Sequence, residues 1–201
     1  MFMLKYNKTS NFKLDKIIGW FNFDNYYQQI YNSLPNNSKI FEIGVFYGKS
    51  TCFMANLIKN NNKNVEFHCC DTFIVKDKIY VGVDGLKLNE NFKKTFQKNL
   101  SLFGLSQYVI VHEGKSANVL SRFPNDYFDF IFIDGDHKFS GVIKDISIGF
   151  EKLKCGGILA GHDAHVNDIV RALKELNLSY KFIGKWKENP NLNLLWEVCK
   201  K

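Results

Sequence analysis

The chain alternates short apolar runs with longer stretches in which apolar residues recur every three or four positions. The short runs have the length of strands and end at glycines or charged residues, as buried strands commonly do. Five of them occur in order: KIFEIG (39–44), VEFHCCD (65–71), YVIVHEG (108–114), FDFIFID (128–134) and GGILAGHD (156–163). Two later runs, 179–186 and 193–200, predict a terminal antiparallel pair.

The stretches between these runs predict helices, because their apolar residues fall on one face at helical spacing. They are 48–61, 88–104, 139–157 and 166–176. In the third, the pair Gly156 and Gly157 predicts the end of the helix. Residues 1–37 predict an N-terminal helical segment that leads into the first strand.

Strands that alternate with helices favour parallel strands joined by right-handed crossovers. We therefore expect an α/β fold with a doubly wound, mostly parallel seven-stranded sheet and an N-terminal helical extension. The 201 residues contain no repeat and no Pro/Gly/Ser-rich linker, which predicts one domain over 1–201. Ligands of such sheets bind beyond the carboxyl ends of the strands, so the residues after each strand are the candidates for function.

Composition adds little to this prediction. Hydrophobic residues make up 45% of the chain and charged residues 23%, as in ordinary globular enzymes. No apolar run approaches the length of a membrane span, and the first residues lack the apolar core of a signal peptide. We therefore expect no membrane insertion and a cytoplasmic location.

The five cysteines are odd in number and show no C-x-x-C spacing. A zinc site needs clustered cysteine and histidine at ligand spacing, which is absent here. The sequence therefore predicts buried free thiols in a reducing compartment.

The formal net charge is +7, and nearly all of the excess is lysine. Arg122 and Arg171 are the only arginines. Bidentate recognition of phosphates and guanines favours arginine. Because the positive charge comes almost entirely from lysine, we do not expect nucleic acid as a partner. A basic face for an anionic substrate stays open as an alternative.

The first loop, KIFEIGVFYGKST (39–51), resembles a phosphate-binding loop but lacks its spacing. That loop needs four residues between its first glycine and Gly-Lys-Ser. Here only three residues separate Gly44 from Gly48, and Ile43 stands where the first glycine belongs. Phe46 likewise replaces the middle glycine of a dinucleotide fingerprint. Acidic Glu42 favours a ligand that carries positive charge.

At the ends of the second and third strands, each candidate residue has a ligand-binding role and a structural role as alternatives. Asp71 is placed to accept hydrogen bonds from ribose hydroxyls, with a helix cap or a solvated loop carboxylate as the alternative. Gly114, Lys115 and Ser116 follow the third strand, where an adenine ring would lie. Ser116 is equally well placed to cap the next helix.

The fourth and fifth strands end in clusters of carboxylates and imidazoles. A buried apolar strand that runs into such charges is costly unless they face a cleft. Neighbouring parallel strands bring their ends together, so the clusters are expected to meet on one ion or substrate. The residues are Asp134, Asp136 and His137 after the fourth strand, and His162, Asp163 and His165 after the fifth. The alternative is that Asp136 and Asp163 cap the following helices.

Together these motifs resemble class I S-adenosylmethionine-dependent methyltransferases, and in particular the family labelled methyltransferase 24, which is related to macrocin-type sugar O-methyltransferases. The motifs occur in order from about residue 19 to 175. They are GWF (19–21), FEIGVFYGKST (41–51), CDTF (70–73), EGKSANVL (113–120), FIDGDHKFSGVIKDI (132–146) and LKCGGILAGHD (153–163). IDGDH paired with GGILAGHD is the specific part.

The resemblance implies a Rossmann-like methyltransferase fold that binds S-adenosylmethionine. The first loop would face the methionine and sulfonium end, the second strand the ribose and the third the adenine. The implied cofactor residues are Glu42, Gly44, Phe46, Gly48, Ser50, Thr51, Asp71, Thr72, Gly114, Lys115, Ser116 and Asp134. Lys49 of the apparent phosphate loop would point to solvent or pack on its own helix.

The resemblance also implies a divalent cation such as Mg²⁺ on Asp134, His162 and Asp163. His162 replaces an acid that is usual in several metal-dependent members, which leaves Mg²⁺, a softer ion or no ion as alternatives. The base that takes the acceptor proton would be Asp136 or His137, with His162 as the alternative.

We expect O-methylation of a small molecule or sugar. The long connection 72–91 is expected to be a lid or substrate loop. A nucleic-acid methyltransferase is the alternative within the fold, but IDGDH lacks the prolines of the motif that exocyclic-amine methylation generally requires. A non-catalytic cofactor-binding module is the other alternative. A homo-oligomer is compatible with the sequence, which carries no clear interface signal.

Overall fold

The structure is a computed structural model that describes residues 14–61, 63–74, 92–187 and 189–201. Its strands are β1 Ser38–Ile43, β2 Val65–Asp71, β3 Ile110–Glu113, β4 Phe128–Ile133, β5 Leu153–Gly161, β6 Tyr180–Lys185 and β7 Asn193–Cys199. Its α-helices are α1 Asp24–Ser33, α2 Lys49–Lys59, α3 Phe92–Leu102, α4 Ser116–Leu120, α5 Phe139–Lys152 and α6 Asn167–Glu175. A single 3-10 turn at Leu14–Lys16 precedes α1.

The strands form one seven-stranded sheet in the order β3-β2-β1-β4-β5-β7-β6. The first five strands pair in parallel, whereas β7 runs antiparallel to both β5 and β6. The predicted doubly wound, mostly parallel sheet with a terminal antiparallel pair is thus confirmed. β1 and β4 are neighbours, so the order of connections reverses between them, and this is where such sheets bind ligands.

Two hydrophobic layers cover the sheet. One is built on α1, α2 and α3, and the other on α4, α5 and α6. β1 and β4 are buried along nearly their whole length, as expected for central parallel strands. β3 is an edge strand with little buried surface, and the side chain of Ile110 is exposed.

The prediction that the third helix reaches Gly156 and Gly157 is wrong. α5 ends at Lys152, and Leu153 already begins β5. Gly156 pairs with the last strand region by donating its N–H to the carbonyl of Lys200 at 2.7 Å. A Cβ on Gly157 would lie 2.8 Å from Cγ of Leu153. Gly157 therefore allows close packing, Gly156 has a left-handed φ of +77° without crowding, and neither ends the helix.

The predicted burial of all five thiols is correct for three of them. Cys52, Cys69 and Cys70 are buried, whereas Cys155 and Cys199 are exposed; all five are free.

The described part of the N-terminal segment contains the 3-10 turn and α1, and residues 1–13 lie outside the described residues. Most of the expected lid, 75–91, also lies outside them. Among the described helices, none has the length and apolar character needed to cross a bilayer.

Candidate active site

The loop from Gly44 to Gly48 joins β1 to α2 and packs against the end of β4. A Cβ on Gly44 would lie 2.1 Å from the carbonyl oxygen of Asp134, and its φ is +82°, so only glycine fits. The ends of β1 and β4 therefore approach each other more closely than any side chain would permit. Lys49 differs from expectation: its ammonium donates to the carbonyl of Gly19 at 3.1 Å and ties the loop to the N-terminal segment.

Asp71 at the end of β2 holds this loop in place. Its Oδ2 accepts hydrogen bonds from the backbone N–H groups of Val45 at 3.0 Å and Phe46 at 3.3 Å. Its Oδ1 accepts one from Phe73 at 2.9 Å. The alternatives of a helix cap or a solvated carboxylate are therefore wrong. A carboxylate has about four acceptor positions, so capacity remains for one further donor such as a ribose hydroxyl.

Glu42 is buried between β1 and the first helices, and it does not face an open crevice. Its side chain is 1% exposed and accepts hydrogen bonds from Tyr27 at 3.0 Å and Thr51 at 2.5 Å. Burial raises the pKa of Glu42 to about 7, although neighbouring hydroxyls oppose the shift. Direct contact with a ligand, as expected for Glu42 and Thr51, is not supported here, because both are fully buried. Ser50 is also largely buried.

Phe46 has a left-handed φ of 48°, which is uncommon outside glycine. The ring lies 4.2 Å from that of Tyr47 and 6.2 Å from that of Trp20. It therefore belongs to an aromatic wall at the carboxyl edge. The predicted cofactor residue Thr72 follows β2, and its hydroxyl accepts a hydrogen bond from the N–H of Ile74 at 3.4 Å.

The third strand end carries a polar pair that the sequence did not reveal. Ser116 is the first residue of α4 and makes no capping bond, so its predicted capping role is wrong. Its hydroxyl donates instead to Oδ1 of Asp145 on α5. Burial raises the pKa of Asp145 to about 6. Gly114 and Lys115 connect β3 to α4, and the Gly114 N–H donates to the Asp71 carbonyl at 2.9 Å.

The clusters after β4 and β5 meet, as predicted. Nε2 of His137 lies 2.6 Å from Oδ2 of Asp163. Nδ1 of His162 lies 3.3 Å from the same Asp163 oxygen and 3.7 Å from Oδ1 of Asp134. Asp163 has a φ of 53°, a strained backbone conformation for a residue other than glycine. Its side chain binds histidines and does not cap α6, so that alternative is wrong.

The electrostatics of the cluster follow from these contacts. The hydrogen bond to Asp163 raises the pKa of His137. Burial disfavours the charged form of His162, but the carboxylates of Asp134 and Asp163 outweigh it and raise its pKa to about 10. Burial also opposes ionisation of Asp163, yet the two histidines hold its pKa below the ordinary value.

The three base candidates have different surroundings. Oδ1 of Asp136 accepts a hydrogen bond from the N–H of Lys138 at 2.9 Å, in the turn that precedes α5. His162 is 5% exposed. The side chain of His137 is 48% exposed, and Nε2 is the nitrogen that contacts Asp163. Of the two histidine candidates, His137 is the more exposed, and its Nδ1 is available to a substrate.

Two contacts around His162 involve residues that sequence reasoning missed. Its Nε2 lies 3.2 Å from Oδ1 of Asn22, which precedes α1. Its ring packs between Phe23 at 5.0 Å and Trp186 at 5.5 Å between centroids. Asn22 is 140 positions away in the chain, so no local motif could have indicated it.

The residues at this edge suit a divalent cation. One donor atom each from Asp134, His162 and Asp163 lies within 4.8 Å of the other two. Nitrogen and oxygen donors about 2.1 Å from one ion lie roughly 3 to 4 Å apart. The separations of 3.7 Å and 3.3 Å from Nδ1 of His162 to Asp134 and Asp163 fall in that range. The predicted metal residues are therefore brought together by the fold.

Class I S-adenosylmethionine-dependent methyltransferases have a seven-stranded sheet with one antiparallel strand, a glycine turn after β1 and carboxylates after β2 and β4. This structure has all of these features. The family model Methyltransf_24, described as a methyltransferase domain, matches residues 41–164, more than half of the chain. The chain belongs to this family of methyltransferases. A search of curated proteins finds no match.

Solved structures with the same fold include several methyltransferases. A putative O-methyltransferase from Klebsiella pneumoniae is 15% identical, with a TM-score of 0.65, and the match covers 94% of this chain and 90% of that one. The O-methyltransferase TomG from Streptomyces achromogenes, in complex with SAM, is 12% identical with a TM-score of 0.63, covering 92% and 82%. An O-methyltransferase from Bacillus cereus, in complex with SAH, is 16% identical with a TM-score of 0.56, covering 92% and 94%.

Proposed function

We propose that this methyltransferase transfers the methyl group of S-adenosylmethionine to a hydroxyl of a small molecule or sugar, with His137 as the base. The observation that carries the proposal is the contact of 2.6 Å between His137 and Asp163 beside Asp134. It joins the ends of β4 and β5 next to the glycine turn of β1. A base oriented by a carboxylate is what an alcohol acceptor requires, because the hydroxyl must lose its proton.

The cofactor would lie across the carboxyl ends of β1 and β2. Asp71 would accept a ribose hydroxyl, Gly44 and Gly48 would let the backbone approach the methionine part, and Gly114 to Ser116 would flank the adenine. Glu42 would act indirectly, because it fixes Thr51 in the first turn of α2. Two neighbours of this fold are described as complexes with SAM or SAH, which is consistent with this placement.

The reaction is a direct displacement. The acceptor oxygen forms a bond to the methyl carbon as the carbon–sulfur bond breaks, and sulfur keeps the electron pair. The acceptor proton goes to Nδ1 of His137, while Asp163 at Nε2 orients the ring and stabilises the imidazolium. A divalent cation on Asp134, His162 and Asp163 would lower the pKa of the acceptor hydroxyl.

The acceptor would bind against the aromatic wall at the glycine turn and beside Trp186. Trp20, which is 52% exposed, and Phe46 border the glycine turn, and Trp186 packs on the His162 ring. Such walls favour the apolar faces of small molecules and sugar rings. O-methyltransferases among the structures of the same fold support a hydroxyl as the acceptor.

Calorimetry tests the cofactor part of this proposal. S-adenosylmethionine and its demethylated product should bind saturably to the purified protein, whereas ATP and NAD should not. Asp71→Ala should abolish binding, because the loop loses its support and the ribose loses an acceptor. Asp24→Ala, an exposed acid on α1, is the matched control and should bind normally. Binding of ATP in place of S-adenosylmethionine would refute the proposal.

A methyl-transfer assay tests the base. A panel of phenols and sugars is incubated with methyl-labelled S-adenosylmethionine and the wild-type protein. For any accepted hydroxyl, His137→Gln should lower kcat by roughly 10²- to 10⁴-fold while cofactor binding is retained. Unchanged kcat in this variant would exclude His137 as the base.

A further inference from the structure

The ring of His162 is held in one orientation. It is 5% exposed and contacts the rings of Phe23 and Trp186, which restricts its rotation. Its two nitrogens therefore contact residues from different parts of the chain. Nε2 points to Asn22, and Nδ1 points to the carboxylates of Asp134 and Asp163.

Asn22 determines which nitrogen keeps its proton when the ring is neutral. Its Oδ1, 3.2 Å from Nε2, is an oxygen that only accepts hydrogen bonds, so Nε2 must be the donor. In the neutral ring the lone pair is then on Nδ1, between the two carboxylates. A second partner that fixes the tautomer in this way is a regular feature of metal-binding histidines.

Both separations at Nδ1 are long for a direct hydrogen bond. Nδ1 lies 3.7 Å from Oδ1 of Asp134 and 3.3 Å from Oδ2 of Asp163. Charge-assisted N–H···O hydrogen bonds are usually about 2.7–2.9 Å long, so both separations exceed that range. They fall within the spacing of donors that share one ion.

The chemistry of the donors selects the ion. Mg²⁺ prefers oxygen ligands and gives up its water reluctantly, whereas an imidazole nitrogen suits Mn²⁺, Co²⁺ or Zn²⁺. We propose that Asn22 presents Nδ1 of His162 to the carboxylates of Asp134 and Asp163, so that the site takes a transition-series divalent ion in preference to Mg²⁺. The inference rests on the proposed function, because the ion would lie where the acceptor hydroxyl approaches.

Calorimetric titration of the metal-free protein with Co²⁺ and with Mg²⁺ tests the preference. Co²⁺ should bind at least about 10-fold more tightly than Mg²⁺. His162→Asp replaces the nitrogen by oxygen and should bring the ratio of the two affinities close to one. His112→Asp introduces the same charge change at a histidine of β3, which contacts His68 and Phe123, and should leave the ratio unchanged.

The role of Asn22 is tested by two variants of similar size. Asn22 is exposed, so replacing it leaves the core packing intact. Asn22→Leu removes the acceptor and should weaken Co²⁺ binding by roughly 10- to 100-fold. Asn22→Asp restores an acceptor for Nε2–H and should restore binding, which a merely structural role would not do. Should Asn22→Leu fail to fold, Asn22→Ala takes its place.

Two outcomes would overturn the inference: Mg²⁺ binding as tightly as Co²⁺ in the wild-type protein, or no cation binding at millimolar concentration. Equal Co²⁺ affinity in wild type and Asn22→Leu would overturn the role of Asn22. The demethylated cofactor is titrated into the same samples. Cofactor binding without the cation preference defeats only the inference, whereas absence of cofactor binding defeats the proposed function.

Discussion

Glu42 illustrates how much the surroundings of one residue decide. By sequence it is an acid at the end of a strand, but in the fold it is buried and accepts hydrogen bonds from the hydroxyls of Tyr27 and Thr51. Asp71, which is only partly buried, holds the loop from Gly44 to Gly48. Asp71 therefore positions the loop backbone before any ligand binds, while Glu42 fixes the first turn of α2 through Thr51. This preorganisation favours tight binding.

Glu42 should make stability depend on pH. Burial raises its pKa from 4.5 to about 7, so its contribution to stability is full below about pH 4.5 and is lost as the pH rises through 7. At about 1.4 kcal/mol per pKa unit, the loss is roughly 3 kcal/mol. Between pH 5 and pH 8, urea denaturation should show Glu42→Gln gaining stability relative to the wild type. Asp145 titrates in both proteins and cancels. Parallel curves for the two proteins would contradict this prediction.

Gly44 should tolerate no side chain. Gly44→Ala places a Cβ 2.1 Å from the carbonyl oxygen of Asp134, in addition to the cost of a left-handed backbone. Gly156→Ala is the matched control, since its φ is +77° but no atom lies within 4 Å of the added Cβ. The control should lose about 1–2 kcal/mol of unfolding free energy. Gly44→Ala should lose clearly more, measured by denaturation, and similar losses would show that the close approach is relaxed.

At the scale of elements, the antiparallel pairing of β5 with β7 positions the histidine cluster. Gly161, the last residue of β5, pairs with Trp196 of β7, and His162 follows it directly. Trp196 is 1% exposed and fills the space that a side chain at position 161 would need. The packing of two strands therefore fixes where the cluster begins.

Gly161→Ala should test this packing. Its Cβ would lie 2.5 Å from the ring of Trp196, so we expect a loss of roughly 1–3 kcal/mol from overpacking. In a Trp196→Leu background the added methyl has room, and the cost should shrink. Thermal denaturation of the four proteins gives the coupling between the two residues. Strict additivity would mean that the alanine is accommodated by a backbone shift.

At the scale of the whole molecule, the sheet order places the buried strands in the centre and the less buried strands at the edges. β1 and β4 lie between helical layers, while β3 and β6 form the two edges. The site lies at the carboxyl ends of the central strands, so its frame is the most buried part of the fold. Edge strands have fewer buried contacts and open more readily.

Hydrogen exchange should follow this order. Amides of β1 and β4 should exchange most slowly and those of β3 and β6 markedly faster, measured by mass spectrometry or NMR. Equally slow exchange at an edge strand would contradict the prediction. It would indicate that a second copy of the chain covers that edge, which bears on the oligomeric state that the sequence leaves open.

The sequence determined the order and type of the strands and the pairing of acids with histidines after β4 and β5. Alternating apolar runs and strand-end charges are local patterns, and parallel strands must bring their ends together. Only the tertiary structure decided that α5 stops at Lys152, that Glu42 is buried and that Asn22 meets His162. These features depend on contacts between residues far apart in the chain, and local periodicity carries no record of such contacts.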